Sequence, residues 1–79
     1  MKTITGNRQL DFQIARFTMP FANDQEVIND LRDMKLHINN LDDWYNWWSV
    51  HARDYEKKQK FAIAANYYKA AMFYLGDDS

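Results

Sequence analysis

Between residues 41 and 59 the chain places Trp44, Trp47, Trp48, His51, Ala52 and Tyr55 at i, i+3, i+4, i+7, i+8 and i+11. That spacing draws one continuous stripe along a helix of 3.6 residues per turn. Arg53, Asp54, Glu56 and Lys57 fall off it, so the helix has an aromatic side and a charged side. Large aromatics dominate the energetics of cores and interfaces, and indoles ranked along one helix need a second surface to pack on. Whatever fold this chain adopts must bury that stripe.

The nearest surface follows directly. Phe61 to Leu75 reads as a helix closed by Gly76, with only Asn66 and Lys69 breaking its apolar surround. Phe61, Ala64, Tyr68, Ala71 and Leu75 form one stripe; Ile63, Tyr67, Ala70 and Tyr74 form another. A helix apolar nearly all round is covered on more than one side. The second stripe, Ile63, Tyr67, Ala70 and Tyr74, is therefore the expected interface, left for a further domain or a second copy of the chain.

Upstream, Asn23 and Glu26 have the spacing of a capping box, and Val27, Leu31, Met34 and Ile38 then recur on one helical face. Asn39 and Asn40 end that helix. Asn40 also caps the next one, with Asp42 and Asp43 at the positive end of its dipole. Residues 8–19 carry Leu10, Ile14 and Phe17 at helical spacing, although Phe12, Ile14 and Thr18 also fit a strand. They are read as a helix that Pro20 stops. The expected fold is all-α: one helical region over residues 1–79, with helices at about 24–38, 41–59 and 61–75. The last two pair as an antiparallel hairpin behind one or two N-terminal helices.

Composition narrows function mainly by exclusion. With no cysteine there is no disulfide and no thiolate metal site, and two histidines are too few for a convincing zinc site. No cofactor is expected. A net charge of −1 provides no basic field for nucleic acid. The polar start lacks the apolar run of a signal peptide, and no stretch approaches the roughly 20 apolar residues of a membrane span. A cytoplasmic protein of bacterial style is expected.

Each chemically suggestive group has a plainer reading beside it. The Trp stripe could cage a ligand, but stripes of this kind are far more often helix–helix core. His51 can be sketched with Asp43 or Asp54 as an acid–base pair; a single histidine on an apolar stripe is more often packed and hydrogen-bonded. Asp77-Asp78 and the Lys57–Lys60 run read as a solvated loop and a charged helix end. Neither Ser49 nor Ser79 sits in a glycine-flanked elbow, and no glycine loop could cradle a phosphate. No catalytic, cofactor-binding or metal-ligating residue is expected within the chain.

Two resemblances refine this. Trp48, Ala52 and Tyr55, followed by Ala64, Tyr68 and Ala71, resemble one tetratricopeptide-type hairpin, in which small residues let the helices approach and aromatics fill the flanks. One repeat cannot build a solenoid. Phe12 to Phe17, Trp44 to Trp48, His51-Ala52, Asp54 to Glu56, Tyr67-Tyr68 and Asp77-Asp78 are similar to the N-terminal helical region of bacterial serine α/β-hydrolases. These are enzymes of the esterase, dipeptidyl-peptidase-like, fermentation–respiration-switch and pseudooxynicotine-hydrolase kind. That resemblance implies a cap-like region of a longer protein, packing on a catalytic domain and shaping substrate access. The family's catalytic serine, acid and histidine would all lie beyond this region. The alternative is a free-standing helical interaction or self-association module, whose partner is a protein segment or a second copy.

Overall fold

The computed structural model describes residues 8–74, and these are all-α. Helix α1 (Arg8–Thr18) runs into a 3-10 turn (Met19–Phe21), followed by α2 (Gln25–His37), α3 (Leu41–Lys57) and α4 (Phe61–Met72). Leu75, Gly76 and the Asp77-Asp78 pair, with the expectations attached to them, lie outside the described residues.

Residues 8–18 form a helix and not a strand. Pro20, with no N–H to donate and a fixed φ, sits inside the 3-10 turn that ends it. The start of α2 differs from the expected capping box: Asp24, not Asn23, is the cap. Its Oδ1 accepts from the Glu26 and Val27 amides at 2.9 and 3.3 Å. The Asp24 amide is itself tied back to the Phe21 carbonyl at 2.9 Å, which sets the carboxylate at the helix mouth. Glu26 does not reach back to the cap; it reaches forward to Lys58 and Lys60. Asn40 caps α3 as its sequence suggests, accepting from the Asp43 amide at 2.8 Å.

The α3–α4 turn is a Schellman closure built without glycine. The Lys60 amide donates to the Tyr55 carbonyl at 2.9 Å and the Gln59 amide to the Glu56 carbonyl at 3.0 Å. Gln59 takes the left-handed backbone position, with φ at 63°. The turn folds α4 back antiparallel along α3. The Trp44 indole N–H reaches the Ala70 carbonyl at 2.7 Å, and Trp48 and Tyr55 pack on Tyr67 with ring centroids 4.7 and 5.0 Å apart.

The aromatic stripe of α3 is core: Trp44, Trp47, Trp48, Ala52 and Tyr55 are buried and His51 is half-buried. Helix α4 departs from its expected division of faces. Phe61, assigned to the packed stripe, is exposed, whereas Ile63, Tyr67 and Ala70, assigned to the free interface, are buried within the chain. Tyr74 is half-buried against Trp44. The reason is that α4 has neighbours on both flanks of α3. Helix α2 reaches the Tyr67 hydroxyl through Asp30, at 2.8 Å. Helix α1 lies along the other flank, where Phe17 meets Phe73 edge-on at 5.8 Å and the Asn66 amide donates to the Phe17 carbonyl at 3.2 Å. The face that self-association was expected to cover is thus closed from inside.

Candidate functional site

The groups best placed for chemistry gather where α2 meets the hairpin. Asp30, on the inner flank of α2, presents one carboxylate oxygen to two phenols: Tyr55 from α3 donates at 2.6 Å and Tyr67 from α4 at 2.8 Å. The other oxygen lies 3.8 Å from His51 Nε2. One turn along α2, the Asp33 carboxylate accepts the Trp47 indole N–H at 3.2 Å. The histidine is held from two sides. Its ring stacks on Trp47 at 3.9 Å, and Nδ1 lies 3.0 Å from the Trp47 carbonyl. A carbonyl only accepts, so Nδ1–H is the donor in that contact, and Nε2 is the nitrogen that faces Asp30.

This constellation replaces the pairs the sequence suggests for His51. Asp54 is engaged with Lys58 at 2.9 Å, and Asp43 accepts the Asn39 amide at 3.0 Å. Asp30 was not among the expected partners because it lies on another helix, far away in sequence. Its position on α2 carries a signal in retrospect: it falls beside the Val27–Met34 face, where a bare carboxylate would need donors.

The chemical capacity of the cluster is limited by its own geometry. Burial, and then the hydrogen bond to Asp30, push both the Tyr55 and the Tyr67 hydroxyl well above the ordinary phenol range. Both remain protonated donors, unsuited to act as bases or nucleophiles. Asp30 is occupied by those donors. Ser49, the one serine among the described residues, is buried on α3 without an elbow. A shallow hollow of about 260 Å³ beside His51, bordered by His37, Asp43 and Trp47, offers space but no hydroxyl or thiol. Among the described residues no group of three or more His, Cys, Asp or Glu side chains could hold a metal ion, and no helix is long and apolar enough to cross a membrane.

A second polar junction clasps the far end of α2. Lys60 contacts Asp24 at 2.9 Å and Glu26 at 2.7 Å, and Lys58 bridges Glu26 and Asp54. Every acidic side chain of α2 therefore faces a donor on α3 or in the turn before α4.

Phe12, Met19, Leu41 and Met72 each remain more than half exposed. Between α1, the 3-10 turn and α2 runs an apolar groove, lined by Ile14, Ala15, Thr18, Met19, Ala22 and Leu31 and enclosing about 210 Å³. The interface residues expected from the sequence do not contribute to it: Ile63, Tyr67 and Ala70 are inside the core. Comparison with protein families, with curated proteins and with solved structures finds no match to the chain.

Proposed function

We propose that this chain acts by binding and not by catalysis, as a helical protein-interaction module. One observation carries the reading. The Asp30, Tyr55 and Tyr67 groups are consumed in holding α2 to the hairpin, while large apolar side chains, Phe12 among them, stand in water and one of them, Met19, lines an apolar groove. Exposed apolar surface arranged around a concavity supports a docking role.

The test is photo-crosslinking in cells, with a reactive side chain installed singly at Phe12, Met19, Leu41 or Met72 and at the polar control Asn29. The reading expects a discrete adduct from at least one apolar position and none from Asn29, with the partner then binding as a purified protein. Absence of any adduct, together with ester turnover abolished by His51→Gln, would assign the chain a chemical role instead.

The hydrolase-region reading draws on a different feature. Leu41 and Tyr45 are exposed beside a hollow of about 460 Å³ between the start of α3 and the end of α4, a place where a catalytic domain could sit. On that reading the Leu41 crosslink closes within one longer protein, onto its own serine hydrolase domain.

A further inference from the structure

We infer that the α1/α2 groove receives one amphipathic helix of another protein, an apolar stripe inserted between Met19 and Leu31 and acidic residues along the α2 side. This inference rests on the interaction-module reading and adds the site and the chemistry of the partner.

The groove is built by a mismatch between α1 and its own core. Ile14 and Phe17 point inward, but Phe12 and Ala15 mark a second apolar flank of α1, which Met19 continues from the 3-10 turn, and of these Ala15 and Met19 line the groove. Phe12 is 66% and Met19 65% exposed. The opposite wall is the outer flank of α2, where Leu31 is half-buried and Ile28 stands one turn before it. A volume of about 210 Å³ is of the size that accepts a single large apolar side chain, since an apolar cavity of roughly 150 Å³ holds a benzene. Two helices flanking an apolar trough suit a third helix, read by anchors at helical spacing.

Charge selects among such helices. Lys35 follows Leu31 by one turn and Arg32 stands just outside it, both exposed. Among the described residues neither has an ion pair, whereas Lys58 and Lys60 are both paired with carboxylates. The nearest carboxylate on α1, Asp11, is buried. The α2 rim is thus locally cationic on a chain whose net charge is −1. A helix with Glu or Asp beside its apolar stripe finds complementary charge there; a basic helix does not. A concave trough also favours a helix over a flat anionic membrane.

The experiment uses the full chain and a labelled helical peptide of about 18 residues, with Leu on the i, i+3, i+4, i+7 stripe and Glu on its flanks. Twins carry Lys in place of Glu, or the same residues scrambled. Saturable binding of the Glu peptide is expected, at least about tenfold tighter than the Lys twin and weaker in salt. Met19→Glu, at an exposed position that should not disturb folding, should weaken it about tenfold, and Leu41→Glu should not. Paired Arg32→Glu and Lys35→Glu changes should invert the Glu-over-Lys preference. No saturable binding below about 1 mM, equal binding of the two twins, indifference to Met19→Glu, or binding to phosphatidylserine vesicles in place of the peptide would each overturn the inference. Crosslinks from Leu41 or Met72 that persist in such a case would retain the module reading and remove only the groove.

Discussion

The Tyr67 hydroxyl donates to the Asp30 carboxylate across 2.8 Å, joining residues that lie on α4 and α2 and share no neighbour in sequence. Tyr55 donates to the same oxygen from α3. One carboxylate thereby ties three helices. Removing one donor by Tyr67→Phe leaves the ring packing on Trp48 and Tyr55 intact but takes away a buried hydrogen bond to a charged group. A loss of about 1–3 kcal/mol is expected in urea unfolding. Tyr55→Phe should cost a similar amount, and the double variant should depart from the sum, because the two hydroxyls share one acceptor.

The same pair makes the fold sensitive to base. Both phenols are held above their ordinary value, by burial first and by Asp30 second. A raised folded pKa means stability is fully present below about pH 10, where the unfolded phenols titrate, and is lost as pH rises beyond it. The share of tyrosinate absorbance that belongs to Tyr55 and Tyr67, read against single Tyr→Phe chains, should therefore appear together with loss of helical circular dichroism. Gradual ionisation of Tyr67 in a chain that stays folded would show its hydroxyl to be accessible.

Acid should loosen α2 from its N-terminal end. The Lys60 hydrogen bond holds Asp24 below the usual carboxylate range, and those from Lys58 and then Lys60 do the same for Glu26. With depressed folded values, their contribution is present above the unfolded values of about 3.9 and 4.3, and fades as pH falls through the lower folded ones. Amide protection at the α2 N-terminus, with the intrinsic pH dependence of exchange divided out and followed from pH 6 to about 3, should fall before that of the α3 core. In a Lys60→Met chain this acid effect should shrink. The pairs are partly exposed, so added salt should also weaken them.

Gln59 occupies a position that glycine fills at lower cost. A residue with a Cβ at φ 63° carries a left-handed penalty of about 1–2 kcal/mol. Replacement by Gly should raise the thermal midpoint, the gain being trimmed by the greater freedom of an unfolded glycine. A lowered midpoint would mean that the Gln59 side chain contributes something the backbone geometry does not reveal.

The all-α fold, the α3 stripe and the Asn40 cap are legible because each is written in local spacing: Trp47 and Trp48 each lie about one turn from Trp44 on any helix. What escaped was decided between helices. Periodicity divides α4 into two stripes but cannot say which neighbour covers which, and the buried set, Ile63, Ala64, Tyr67, Ala70 and Ala71, straddles both. The Asp24 cap is hidden in the sequence because Asn23 and Glu26 have the capping-box spacing, while Lys58 and Lys60 compete for Glu26 from the far side of the fold. Asp30 had no local signal toward His51 at all. The groove emerged only when the exposed flank of α1 could be set beside that of α2.

The account turns on Asp30 holding the bundle together and not performing chemistry. Equilibrium urea unfolding of Asp30→Ala, followed by tryptophan fluorescence, tests this directly. Two buried phenols left without their acceptor should cost on the order of 3 kcal/mol. That is a large share of what a domain this small holds, so the midpoint should fall steeply or the folded baseline disappear. An unfolding curve superimposable on that of the parent chain would contradict the account, and would mark Asp30 as a residue kept for a function that the fold does not need.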